Sequence, residues 1–360
     1  MQTGEDRLSV MNNYDWLNII IKLILCPVAI AFFIWASCAI WFQAPFGTLM
    51  RIAIIGLWLG VLVWYLWGER QPAPWPRRAI FLCLCLAILG WWATIKPSLN
   101  RIWAAEVAYT VTGTIDGDMV TLNNIRDFEW ISETEYKIRW KSETYDLNTI
   151  ISTDAFLSYW TGPAIAHTLV SFGFADGRHI VFSAEIRKEH HEEFSTIGGF
   201  FRKFELAMIA AEESDIIFTR TNIRGEQVYR YPIDIEQETA KTLFLNYVEN
   251  ANRLAEEPEF YNTLLTNCTT VIFEMARLMD PGIMFDYRIL LSGYAPYYLY
   301  DHELISTADT AEHTIAKAHI NELAKGDAKD YSRRIRQPVT LEQLDKMPEP
   351  SFKTISPALP

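Results

Sequence analysis

Cys268 is the one cysteine outside the apolar N-terminal quarter of the chain; Cys26, Cys38, Cys83 and Cys85 all fall inside that quarter. It stands in Tyr261-Asn262-Thr263-Leu264-Leu265-Thr266-Asn267-Cys268-Thr269-Thr270, directly ahead of a helical pattern. A thiol with no disulfide partner in its own domain is either a buried filler or a nucleophile. Val271, Ile272, Met275, Leu278 and Met279 recur at helical spacing, and Asn267 is a good N-cap type. Cys268 is therefore expected in the first turn of a helix. Unpaired backbone N–H groups and the positive end of the helix dipole favour a thiolate there.

A thiol nucleophile needs a base. All seven histidines follow the apolar quarter. His190 and His191 lie in a charged run read as a solvated loop, and two adjacent side chains seldom aim at one ion. His167 opens the apolar strand pattern His167-Thr168-Leu169-Val170-Ser171-Phe172-Gly173-Phe174, where a polar ring needs a reason to be. Ala175-Asp176-Gly177 reads as a three-residue hairpin loop with Gly177 left-handed, so Phe174 pairs with Arg178. In that register paired positions sum to 352, which sets His167 opposite Glu185 on one face. Glu185 is itself an acid in the apolar run Ile180-Val181-Phe182-Ser183-Ala184. A carboxylate that orients an imidazole that activates a thiol is triad logic. A one-residue change of register would put Glu185 on the opposite face.

These residues need a scaffold and a compartment. The apolar residues are concentrated in three blocks, expected as transmembrane helices over about 16–42, 50–68 and 79–95. Trp and Tyr crowd the block ends, as interfacial belts do. Arg70, Arg77 and Arg78 lie between the second and third blocks, whereas the loop between the first two carries no charge. The positive-inside rule then places the N-terminus in the cytoplasm and the large C-terminal part in the periplasm, or the exterior if there is no outer membrane; the expected location is the bacterial inner membrane, as a multi-pass protein. Export exposes that part to an oxidising space, where a single retained thiol points to chemistry. The net charge of −12 argues against nucleic acid as a partner.

The rest reads as an α+β chain. Residues 97–160 are expected as a β-rich meander packed on the main domain, with a hairpin around Asp116-Gly117-Asp118. Residues 161–335 hold the hairpin with His167, a helix from Asp234 to about Leu254 and the cysteine helix. Residues 336–360, with five prolines, are expected as an extended or disordered tail.

Ala166 to Phe174, Glu185-Ile186-Arg187, Thr221-Asn222-Ile223-Arg224-Gly225-Glu226, Tyr261-Asn262-Thr263 to Asn267-Cys268-Thr269-Thr270 and Leu291-Ser292-Gly293-Tyr294, in that order, resemble the DUF4105 domain. That domain is similar to the N-terminal periplasmic part of the Lnb-type bacterial lipoprotein N-acyltransferases. The resemblance covers roughly residues 98–335. It implies a circularly permuted papain-like (NlpC-type) thiol fold, in which the histidine strand precedes the cysteine helix. It implies Cys268 as nucleophile and His167 as base, with Glu185 third by position and Tyr261 and Asn267 at the oxyanion site. No metal and no cofactor is implied. In the acyltransferase type further membrane segments follow the domain; here three spans precede it, and the acceptor stays open.

The expected function is cysteine-dependent acyl transfer at the membrane surface, with a phospholipid or lipoprotein as substrate. Phe200, Phe201, Phe204 and the tyrosines after Asp286 are candidates for an acyl groove. The competing expectations are a thiol peptidase or amidase of the cell envelope, and a non-catalytic envelope scaffold with a buried thiol.

Overall fold

Three long helices come first: α1 (Asn13–Gln43), α2 (Thr48–Gly68) and α3 (Trp75–Thr94). They belong to a computed structural model that describes residues 13–69, 75–279, 282 and 284–338. Each is long and apolar enough to cross a membrane, over Ile20–Gln43, Thr48–Gly68 and Trp75–Thr94. Trp58 and Tyr65 of α2 stack on Phe81 of α3. Large apolar side chains such as Leu23 and Leu57 instead point outward, 70% and 74% exposed. Such a surface suits lipid and would be a liability in water. Arg77 packs against Trp64 and Trp67, and Arg78 pairs with Glu69. Arg70 lies outside the described residues.

The chain divides into two units: residues 1–97 with 201–203, and 98–200 with 204–360. The second unit is built on one eight-stranded sheet. Its strands are β1 (Thr112–Asp116), β2 (Met119–Arg126), β5 (Trp140–Asp146), β6 (Ile150–Tyr159), β7 (His167–Phe174), β8 (His179–Arg187), β9 (Glu205–Glu212) and β10 (Gln227–Pro232). The order β1-β2-β9-β8-β7-β6-β10 has β5 on the far side of β2; the short strands β3 (Glu129–Trp130) and β4 (Tyr136–Lys137) pair separately. The stretch 97–160, expected as a meander packed on the main domain, therefore shares its sheet. Strand β6 lies between β7 and β10, and β2 meets β9 through a parallel bridge at Arg126 and Ala211.

The central strands are apolar at nearly every position because both faces are covered. On one face Phe172, Phe174, Phe182 and Met208 pack against Phe244, Tyr247 and Val248 of α6 (Gln237–Glu256) and Val271 of α7 (Cys268–Met279). On the other face Leu169, Val181 and Ile209 meet Ile216 and Ile217 together with Tyr331 and Ile335. The helix expected from Asp234 starts at Gln237, because Pro232 closes β10 and the backbone is still extended at Glu236.

Arg336 opens the stretch expected as a loose tail, yet it belongs to the folded body. It donates to Asp154 and Glu213, whose carboxylates are buried beneath the sheet. Residues 339–360 of that stretch lie outside the described residues.

Candidate active site

The β7–β8 hairpin has the register that its loop length predicts. Phe174 N–H donates to Arg178 O, Gly177 takes φ +88°, and Val170, Ser171, Phe172 and Gly173 pair with Phe182, Val181, Ile180 and His179. Formal pairing ends at Val170, and the strands continue side by side to the site. His167 Nε2 lies 3.1 Å from Glu185 Oε1 and 2.7 Å from Ser183 Oγ. Ser183 also donates to Glu185 Oε1 at 2.8 Å. The period of two in a strand places Ser183 and Glu185 on one face.

Cys268 is the first residue of α7 and is 7% exposed. Its thiol lies 3.8 Å from Thr269 Oγ1 and 4.0 Å from Ala166 O, and it is near enough to His167 for the two to shift each other's titration. Burial opposes ionisation of the thiol. The nearby His167, the Thr168 backbone N–H and the Thr269 hydroxyl outweigh burial and lower its pKa. Burial likewise opposes the imidazolium, but the charges of Glu185 and Cys268 outweigh that and raise His167 to about 9. Desolvation opposes the charge on the half-buried Glu185 as well; His167, then Arg220 and Ser183, hold it well below the usual carboxylate range. The three groups favour a thiolate–imidazolium pair facing an ionised acid.

Asn267 is next to the thiol, and its side chain is already engaged. Its Oδ1 accepts from the backbone N–H groups of Thr269 and Thr270, each at 2.9 Å, and its Nδ2 donates to Thr263 O. This is N-cap geometry, which engages the side-chain oxygen and one of the two amide N–H groups. The backbone N–H of Cys268 has no acceptor among the described residues, and it stands at the thiol where an oxyanion would form. Tyr261 lines the cavity in front of the thiol. Burial, then the charges of Cys268 and Glu185, push its phenol up, so it stays a neutral donor.

The cavity has a volume of about 380 Å³ and contains His167, Glu185, Tyr261, Asn267 and Cys268 in its lining. Its apolar wall is Trp160, Ile165, Phe194 and Leu290. The aromatics expected to form an acyl groove lie elsewhere. Phe204 is fully buried, and Tyr298 packs with Phe273 and Ile289. Phe201 stacks on Phe42 of α1. Among the described residues no group of three or more His, Cys, Asp or Glu side chains is placed to hold a metal ion.

Several residues at the site are not among the candidates read from the sequence, although Thr168, Thr269 and Ser292 lie in the stretches that carry the family resemblance. Arg220 donates to Glu185 and to Glu226. Thr168 Oγ1 and Thr269 Oγ1 are 2.9 Å apart and tie the histidine strand to the cysteine helix. Ser292 accepts from Ala166 N–H and donates to Ala166 O, fixing the backbone just before His167. Only Ser183, two residues before Glu185, could have been found by strand periodicity.

A family model described as the Lnb N-terminal periplasmic domain matches residues 136–301. That stretch contains all five candidate residues. No curated protein and no solved structure matches the chain. Residues 136–301 are thus similar to that periplasmic domain, and the three helices that precede them are long and apolar enough to cross a membrane.

Proposed function

We propose that the protein is a membrane-anchored thiol enzyme that transfers an acyl chain from a lipid ester to an amine on the periplasmic side of the inner membrane. The observation that carries this reading is the buried Cys268 thiol beside a His167 that Glu185 and Ser183 orient, at the wall of a largely apolar cavity. The order of histidine strand before cysteine helix fits a circularly permuted papain-like enzyme, and the match to the Lnb periplasmic domain supports the same chemistry.

In the first half-reaction Cys268 Sγ attacks the ester carbonyl carbon. The carbonyl oxygen becomes an oxyanion, for which the Cys268 N–H and the Tyr261 hydroxyl are the available donors. The carbon–oxygen bond to the alcohol then breaks, and the imidazolium of His167 gives its proton to the departing alkoxide. A thioester remains on Cys268. In the second half-reaction an amine attacks the thioester, neutral His167 takes its proton, and the carbon–sulfur bond breaks to restore the thiolate. The product is an amide; with water as acceptor it is a fatty acid.

Trp160, Ile165, Phe194 and Leu290 give the acyl chain an apolar wall, and the membrane helices keep the enzyme where lipid esters are presented. The test is intact-mass spectrometry of the wild-type protein and Cys268→Ser after incubation with phospholipid vesicles or a diacylated lipopeptide. An adduct of acyl mass on wild type alone, removed by neutral hydroxylamine, is expected. Absence of any adduct with both donors sinks acyl transfer. Cleavage of an envelope peptide at an amide bond would put the amidase reading in its place.

A further inference from the structure

Glu185 Oε1 is asked to do a great deal. It accepts from Ser183 Oγ, faces His167 Nε2, and receives Arg220 Nη2 at 3.0 Å. The other arm of the same guanidinium, Nη1, reaches Glu226 Oε2 at 3.3 Å. Glu226 is held in turn by the hydroxyl of Ser158 on β6. Polar contacts therefore run without a break from Ser158 through Glu226, Arg220 and Glu185 to His167, whose charge acts on Cys268.

We propose that Arg220 is a positioning residue: by bridging Glu226 to Glu185 it fixes the carboxylate that orients His167, and its charge offsets the two acids beside the thiol. This inference rests on the reading of Cys268 as a nucleophile.

Three features support it. First, the side chain of Arg220 is only 8% exposed. Burying a guanidinium is costly unless it is paired, and Ser183 already supplies Glu185 with a neutral donor. A charge is therefore spent where a hydroxyl would satisfy the hydrogen bond. Second, Arg220 sits in a π-type turn, Thr219–Ile223, closed by Arg224 N–H on Thr219 O. Such turns are rare and concentrate at functional sites. Third, the backbone N–H of Glu226 donates to the carbonyl of Arg220 at 2.9 Å, so one short segment supplies both the cation and its outer anchor.

The charged groups around Arg220 set the sign of its effect. His167 and Glu185 face it from β7 and β8, and Cys268 from α7. Glu226 and Arg224 follow its own turn, and Arg126 and Glu106 line the same cavity. Removing the cation makes the site more negative, which stabilises the proton on both His167 and Cys268. Removing Glu226 does the reverse. A purely structural role would lower reactivity without moving either titration.

The experiment is the rate of alkylation of Cys268 by iodoacetamide against pH, on the full chain in detergent, read by mass spectrometry of the Cys268 peptide. Wild type is expected to show two inflections, one for thiolate formation and one for loss of the His167 proton. Arg220→Met should move both to higher pH by about one unit, the effect of one nearby charge. Glu226→Gln should move both to lower pH, and Arg220→Lys should restore the wild-type positions. Inflections that stay in place in both Arg220→Met and Glu226→Gln overturn the proposal. If Arg220→Met does not fold, Glu226→Gln decides alone: a downward shift supports the bridge and an unmoved profile overturns it. A wild-type thiol inert at neutral pH would instead bring down the nucleophile reading itself, a different result from a reactive thiol with unmoved inflections.

Discussion

His167 opens the first arm of a hairpin and Glu185 lies near the end of the second, eighteen residues on in sequence, with Nε2 and Oε1 separated by 3.1 Å. The carboxylate stabilises the imidazolium that the thiolate requires. Glu185→Gln keeps an oxygen for Ser183 and His167 but removes the charge. Its acyl-transfer turnover is expected to fall by about 10- to 100-fold, the range typical of general acid–base assistance. The pKa of His167 should fall from about 9 toward its ordinary value. A pH–rate profile of the variant checks both; an unmoved alkaline limb would remove Glu185 from the mechanism.

The pH dependence of the wild type follows from the same pair. In the proposed reaction the leaving alkoxide takes the imidazolium proton, which is present below about pH 9. Turnover is therefore expected to decline as pH rises through about 9. On the acid side it should persist below the ordinary range of a cysteine thiol, because the Cys268 pKa is lowered. Single-turnover thioester formation measured from pH 5 to 10 tests this (the range is about that over which His and Cys groups titrate). A profile that rises steadily to pH 10 would mean that the imidazolium is not the acid.

The hairpin was legible because its information is local. A three-residue loop ending in Gly177 sets the register, and strand periodicity then carries it to His167 and Glu185. The N-cap character of Asn267 was legible for the same reason. Its capping bonds engage the oxygen and one N–H of the amide that the family resemblance made a candidate for the oxyanion site. Arg220 could not be found this way, since its role depends on a π-type turn and on pairing with Glu185, 35 residues away. Nor could the union of residues 97–160 with the main sheet. It is made by the contacts of β6 with β7 and β10 and by the Arg126–Ala211 bridge, and the outer of these are long-range pairings without a short sequence signature.

Asn267 is expected to matter through the helix it caps. Asn267→Ala leaves the N–H groups of Thr269 and Thr270 without their acceptor and should cost about 1–2 kcal/mol of stability. The start of α7 also holds the thiol, so alkylation of Cys268 should slow at neutral pH. Asn267→Asp, which retains an acceptor, should recover most of the stability. Chemical denaturation followed by tryptophan fluorescence separates the two variants; equal losses would show that capping is not what Asn267 contributes.

Away from the site, Arg336 neutralises two buried acids, Asp154 and Glu213. Burial opposes the charge on Glu213, but the Arg336 hydrogen bonds and charge hold it at about 2. A depressed carboxylate contributes stability that is fully present above its unfolded pKa of about 4.3. That contribution is lost as pH falls from there toward about 2. Arg336→Met should cost about 3–5 kcal/mol at neutral pH, chiefly by stranding Glu213, since Asp154 keeps its pairing with Arg230. Denaturation midpoints of the two proteins should converge as the pH is lowered from 5 to 3, roughly the interval in which carboxylates titrate. A constant gap across that interval would assign Arg336 to packing alone.

Gly293 offers the sharpest test of how the histidine is aimed. A Cβ at this position would overlap the carbonyl oxygen of Pro163 and crowd Ala164, both backbone, so neither can rotate away. Gly293 N–H also donates to Ala164 O, and Ser292 clamps both polar groups of Ala166. The whole approach to His167 is thus set by two residues from beyond the cysteine helix. Gly293→Ala must push the 163–166 segment outward, and a displacement of about 1 Å at a catalytic group costs on the order of 100-fold in rate. Turnover is expected to fall by that factor while the far-UV spectrum and the cooperative unfolding transition persist. Ser292→Ala, which removes hydrogen bonds without adding bulk, should lose less. Wild-type turnover in Gly293→Ala would show that the segment before His167 yields freely, and that the ring is held by Ser183 and Glu185 alone.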